Sequence, residues 1–213
     1  MESNNRIGIA VAIVLLAAIL NILVGPSLPD QIVSTWNASG EPSGTIPTLQ
    51  AIWAFPTFMT LLLVVFAIIP RIDPLRANIR LFRRYYDWFI VVFSLIMFIF
   101  HVGILAFNLG YEFPFTNLVI IGTALLIYYS GVMLTQAKRN WFIGIRTPWT
   151  LSDDDVWNKT HQLGAKLFKL TAVLALVGLL FEAYAIYFLL VPLFATVVIT
   201  VSYSYIMYER IAR

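Results

Sequence analysis

Blocks of apolar residues too long for a soluble core recur along this chain, and they leave it few ways to fold. The first, Ile7–Val24, is closed by Gly25 and Pro26. Others follow at about Ala51–Ile69, Tyr85–Leu109, Thr116–Gln136, Ala165–Tyr187 and Leu190–Tyr208. Roughly 20 consecutive apolar residues suffice to span a bilayer as a helix. Only helices and closed barrels can satisfy their backbone polar groups there. Composition agrees: 12% of the residues are charged, about half the share in a soluble domain. The expected fold class is all-α, a polytopic membrane protein with six transmembrane helices. The first block is longer than a signal-peptide core and no small-x-small cleavage pattern follows it, so it reads as an anchor.

The positions of the cations orient the six expected spans. An even number of spans puts both termini on one side. With the N- and C-termini cytoplasmic, the inner segments and helix ends hold Arg6, Arg71, Arg76, Arg80, Arg83, Arg84, Lys138, Arg139, Arg146, Lys159, Lys166, Lys169, Arg210 and Arg213. Those are all 14 Lys and Arg, as the positive-inside rule requires. The outer segments carry Asp30, Glu41 and Glu112 and no cation. Asp87, beside Arg83 and Arg84, reads as their solvated partner. The chain has no cysteine, which removes disulfides, zinc thiolates and thiol nucleophiles.

One polar stretch stands apart. Asn140–His161 reads NWFIGIRTPWTLSDDDVWNKTH, far richer than a helix connector needs, since connectors are usually a few residues. Gly144 and Pro148 punctuate a turn, and Pro148 pushes Thr147 out of the helical region. A helix then starts, with Ser152 expected as its N-cap and Asp155 at its third position. Leu151 and Val156 have the spacing of a hydrophobic staple. The Asp triplet suits the positive end of the helix dipole, which accounts for it without a metal. In the outer loop, Pro29-Asp30 suggests a turn. Trp36, Asn37 and Gly40 suggest a hairpin-like or turn-rich cap, because Asn and Gly tolerate positive φ. Asn37-Ala38-Ser39 also fits the glycosylation acceptor pattern. Two ionisable groups fall inside spans, His101 in the third and Glu182 in the outer half of the fifth. Such groups are costly in lipid and mark functional hypotheses. A shared proton between them would suit a proton path; a satisfied interhelical polar contact would explain them equally. No metalloprotease, phosphate-loop, nucleophile-elbow or dinucleotide motif is present, so no catalytic residue, cofactor or metal is expected, and the chain does not read as an enzyme.

The order Asn140-x-Phe142-x-Gly144-Ile145-Arg146-Thr147-Pro148-Trp149-Thr150-Leu151-Ser152, then Val156-Trp157 and Thr160-His161, resembles the signature of the SdpI family, immunity proteins against a secreted sporulation-delaying toxin. A second stretch, Leu28-Pro29-Asp30-x-Ile32 and Trp36-Asn37-x-x-Gly40, resembles a small domain of unknown function that precedes the SdpI part in longer members. That domain often has His before the Trp-Asn pair; here it is Thr35. The resemblance implies two units. Residues 1–84 form a two-helix unit with an extracytoplasmic loop at 25–50. Residues 85–213 form a four-helix unit with a cytoplasmic signature loop at 137–164. It further implies a prokaryotic, multi-pass, non-enzymatic protein of the cell membrane. Such a protein protects against a toxic peptide met on the outer side and signals by holding an ArsR-type repressor at the inner side, with no direct nucleic-acid contact. The docking surface carried over from the motif is Asn140, Gly144, Arg146, Thr147, Pro148, Trp149, Thr150, Ser152, Trp157 and His161. The outer-loop candidates are Pro29, Asp30, Trp36, Asn37 and Gly40. Two alternatives remain open at this point: a small-solute or ion transporter using His101 and Glu182, and a signature loop that is only a structural plug.

Overall fold

The computed structural model describes residues 2–37, 40–181 and 184–212. Glu182, Ala38, Ser39 and Arg213, which entered the expectations above, lie outside that set. Helix α1 (Glu2–Val24) ends in a single 3-10 turn, Gly25–Ser27. Strands β1 (Gln31–Trp36) and β2 (Pro42–Pro47) then form an antiparallel hairpin with Ile32 opposite Ile46. Helices α2 (Thr48–Ile72), α3 (Arg76–Leu81), α4 (Arg83–Asn108) and α5 (Phe115–Leu134) follow. The polar stretch contributes the short α6 (Pro148–Ser152), and α7 (Asp154–Gly178) and α8 (Ala185–Ala212) complete the chain. The fold is helical apart from the hairpin, a local exception to the all-α expectation.

Helices α1, α2, α4, α5 and α8 are each long and apolar enough to cross a membrane. Their exposed faces carry Leu15, Ile22, Leu61, Leu125 and Phe194, as lipid would require. Helix α7 matches them in length, but its first two-thirds is studded with Asp154, Asp155, Lys159, Lys166 and Lys169. The expected fifth block, Ala165–Tyr187, is corrected here. Helix α7 stops at Gly178 and α8 has begun by Ala185. The stop is made by packing, since Gly178 lies against Phe188 and the Ala185 carbonyl of α8. Leu179, Leu180 and Phe181 follow it and the single acid Glu182 does not break the apolar run, so hydropathy does not reveal the turn.

Two apolar clusters hold the bundle. Ile120, Ala124 and Ile127 of α5 meet Ala172 and Ala175 of α7 and Ala185 and Leu189 of α8. Small residues let these backbones approach closely: a Cβ on Gly131 would stand 2.9 Å from the Ala165 carbonyl oxygen. The second cluster joins Ala10, Ile79, Phe82, Tyr86, Ile90, Met133, Ala137, Ile143 and Trp157 at the end of the bundle that carries the polar stretch. Helix α1 lies against α4 more extensively than against α2, so the two expected units share an interface. Both ends of the chain reach the same end of the bundle. Arg6 sits over the Trp88 ring and Trp149 meets Tyr205. The hairpin occupies the opposite end, where Asn108 at the close of α4 bonds it.

The inward stripe of α4 runs through Asp87, Ile90, Val91, Ser94, His101 and Leu105, at helical spacing. That placement corrects the reading of Asp87 as solvated. It is fully buried, with Oδ1 accepting from Arg83 Nε at 2.6 Å and Oδ2 unpartnered among the described residues.

Candidate functional site

The polar stretch folds around Asn140. Its Oδ1 accepts from the amides of Phe142 and Ile143, and its Nδ2 donates to the carbonyls of Lys138 and Ile143. A fully buried side-chain amide thus closes a four-residue turn with all its main donors and acceptors used. Gly144 follows at φ +117°, a conformation that side chains other than hydrogen resist. A Cβ there would also strike Nε2 of His161. The close approach is what permits the next bond, from the Ile145 amide to His161 Nε2 at 3.1 Å. His161 Nδ1 faces the Trp157 carbonyl at 2.8 Å. An amide N–H can only donate, so Nε2 accepts and the ring proton sits on Nδ1. Burial pushes the His161 pKa down to about 4, and the bond to the Trp157 carbonyl offsets only part of that. The ring is therefore neutral at pH 7 and acts as a two-ended clamp. Its face stacks on Trp157 at 3.9 Å between centroids, and the Trp157 indole N–H donates to the Ala137 carbonyl at 2.9 Å.

Thr147 caps α6. Its Oγ1 accepts from the Thr150 amide, and Thr150 Oγ1 accepts from the Thr147 amide. That reciprocal box satisfies two orphan donors. Thr150 also donates to the Ile145 carbonyl, and Thr147 Oγ1 meets Ser204 Oγ of α8 at 3.0 Å. The expected N-cap of the long helix is corrected by one residue. Asp153 caps α7, accepting from the amides of Asp155 and Val156, while the Ser152 hydroxyl donates to the Pro148 carbonyl. With the cap at Asp153, Leu151 and Val156 no longer occupy the two staple positions. The reason is the extra turn: a separate capping box at Thr147 absorbs Pro148–Ser152 into its own helix.

The structure sorts the ten signature residues into two sets. Asn140, Thr147, Thr150, Trp157 and His161 are buried, and Gly144 is half-buried between them. They hold the loop together and offer no surface. Arg146, Pro148 and Ser152 are exposed and Trp149 is half-buried. Arg146 donates to the Trp141 carbonyl at 2.8 Å, and the Trp141 and Phe142 side chains are exposed on the same loop. Sequence reasoning missed the residues that fasten this loop from elsewhere. Asp73, buried after α2, accepts from the amides of Trp141 and Leu75. Asn78 of α3 donates to the Arg139 carbonyl. Arg139 donates to the Leu151 carbonyl and pairs with Asp154 at 2.8 Å. Asp73 had a signal available, as a lone carboxylate among five loop arginines.

At the opposite end, the hairpin is docked by Asn108, which accepts from the Val33 amide at 2.7 Å and donates to the Val33 carbonyl at 3.0 Å. Trp36 stacks on Phe115 at 3.9 Å and meets Phe107 edge-on. Asn37 closes the turn by pairing with the Glu41 backbone and carboxylate, and Gly40 takes φ +83° against Thr116. Pro29 and Asp30 are exposed, and their carbonyls accept from Thr48 at the start of α2. His101 is buried beneath the hairpin. Its partner is Asn21 of α1, with His101 Nε2 2.7 Å from Asn21 Oδ1, and Asn21 Nδ2 donates to the Ile52 carbonyl. The expected partner Glu182 lies outside the described residues. Among the described residues no cluster of His, Asp or Glu could hold a metal ion.

These features define the class: a helical, multi-pass membrane protein with a folded polar loop at one end of the bundle and a hairpin at the other. Residues 136–205 match the family model described as SdpI/YfhL protein family, and residues 12–60 match a domain of unknown function, DUF1648. The two matched segments contain the two stretches singled out in the sequence, with the DUF1648-like segment before the SdpI-like one. It is 24% identical to the immunity protein SdpI of Bacillus subtilis (strain 168) over 204 residues, 95% of this chain and 96% of that protein. No solved structure matches.

Proposed function

We propose that this chain is an integral membrane immunity protein that protects its cell from a secreted toxic peptide and relays that encounter to a transcriptional repressor on the cytoplasmic side. The observation that carries the reading is the end-to-end likeness to an immunity protein, over 95% of this chain and 96% of that protein. The proposed membrane arrangement has six crossings, by α1, α2, α4, α5, α7 and α8, with both termini and the signature loop inside. The clustering of every Lys and Arg on that side supports it. The division into units of residues 1–84 and 85–213 is kept as part of the proposal.

On this reading the buried residues of the signature loop set its shape, and Arg146, Trp149, Trp141 and Phe142 meet the partner. Arg and Trp are the side chains that most often carry binding energy at interfaces. A peptide that prefers one bundle conformation shifts the equilibrium by its differential affinity and no more. Expression in a sensitive bacterial host, challenged with a sporulation-delaying-type peptide, tests the reading. The wild-type chain is expected to protect. Arg146→Ala and Trp149→Ala are expected to insert normally but lose membrane recruitment of the repressor. A wild-type chain that inserts and gives no protection would sink the immunity reading; recruitment intact in both variants would remove the assigned surface.

A further inference from the structure

Beneath the hairpin lies a cavity of about 210 Å³ between β1, β2, α2 and α4. Ile32, Ser34 and Ile46 roof it, Ala54 and Phe55 form one wall, and His101 is its one ionisable lining group. The volume exceeds the roughly 150 Å³ that holds a benzene ring in an apolar protein cavity, and falls short of the roughly 300 Å³ at which drug-sized pockets begin. It is the size for one side chain of a larger molecule.

The polar chemistry of the cavity follows from the hydrogen bonds around it. Asn21 Nδ2 donates to the Ile52 carbonyl, so its Oδ1 is the atom facing His101. An oxygen of that kind only accepts, so His101 Nε2 carries the proton and Nδ1 is left as an acceptor. Nδ1 has no hydrogen-bond partner among the described residues. The imidazole plane is set by stacking on Phe55, 4.5 Å between centroids and 9° from parallel. On this lining His101 Nδ1 is an acceptor open to one further donor, and a group that fits both it and the apolar walls is planar, apolar and equipped with one N–H donor.

The outer segments around the cavity carry the exposed carboxylates of Asp30, Glu41 and Glu112 and no Lys or Arg. That charge draws a cation. We propose that the cavity receives one aromatic N–H-bearing side chain, of the indole type, presented by a cationic amphipathic peptide on the outer side. This deepens the immunity reading and rests on it, since it names where the toxic peptide engages the bundle.

The full-length protein in nanodiscs is titrated with indole and with N-methylindole, following thermal stability. In parallel, cells carrying the same variants face the toxic peptide. Indole is expected to stabilise the wild type. N-methylindole, lacking the donor, should bind about three- to tenfold more weakly, as expected for one lost hydrogen bond. Ala54→Trp fills the cavity and should abolish both responses and lower protection. Ser34→Leu fills it from the hairpin side and serves if Ala54→Trp fails to fold. His101→Phe keeps the ring and removes the acceptor, so the two probes should become equal. If indole does not stabilise the wild type, or the filled variants bind it unchanged, the cavity is no binding site. If indole binds the wild type but the filled variants protect fully, the site is not where the peptide engages. If indole binds and the wild type itself gives no protection, the immunity reading falls together with the peptide assignment, and the indole response remains as a property of the cavity alone.

Discussion

The two histidines of this protein are both buried, and their surroundings give them opposite roles. His161, at the signature-loop end, has each ring nitrogen engaged by backbone, at the Trp157 carbonyl and the Ile145 amide, and a tryptophan over its face. Nothing is left to offer a ligand. His101, at the hairpin end, has one nitrogen held by Asn21 and the other without a partner, beside an unfilled space. A completed hydrogen-bond set makes a histidine part of the scaffold, and an incomplete one beside a cavity leaves an acceptor open to one more bond. The contrast extends to the ends themselves. One is a dense polar knot whose exposed rim faces outward; the other is a lid over a hole.

The comparison breaks most visibly at the scaffold end. Trp157→Ala should cost about 3–5 kcal/mol, as large-to-small core changes do, and it strands the Ala137 carbonyl as well. Denaturant unfolding in detergent micelles should register it as a lower midpoint. Trp157→Phe should recover most of the loss if the stack on His161 matters more than the indole N–H.

A smaller effect comes from pH. The folded pKa of His161 is held at about 4 against 6.5 for a free imidazole, so the unfolded chain binds this proton more readily. Stability from this group is complete above about pH 6.5 and is lost as the pH falls from there toward 4, because protonation places a second N–H against the Ile145 amide. The loss between pH 7 and pH 4.5 should be roughly 2–3 kcal/mol. Thermal melts across that range, compared with His161→Phe, measure it; an equal slope in the variant would contradict the assignment.

The mildest change sharpens the hairpin end. Asn108→Leu removes the bonds to Val33 and should loosen the lid by about 1–2 kcal/mol. Faster amide exchange at Val33, with Ile145 unchanged, is the expected signature.

Length and hydropathy of the apolar blocks determined that the chain is a helical membrane protein, because a bilayer admits few solutions for unsatisfied backbone. The order of residues from Asn140 to His161 was enough to locate the segment that matches the SdpI/YfhL family model. Local rules failed where a neighbour decided the outcome. The N-cap moved from Ser152 to Asp153 because a second capping box at Thr147 claimed the preceding turn. Helix α7 ended at Gly178, where α8 lies against it, within a stretch whose single acid, Glu182, does not break the apolar run. Asp87 went from solvated to buried because its helix face turns inward. Which signature residues are scaffold and which are surface, that Asp73 and Asn78 fasten the loop from 60 or more residues away, and that His101 is paired with Asn21 and left beside a cavity, were settled only by the tertiary structure. These are contacts between segments far apart in the chain, and no periodicity or spacing within one segment encodes what another segment brings to meet it.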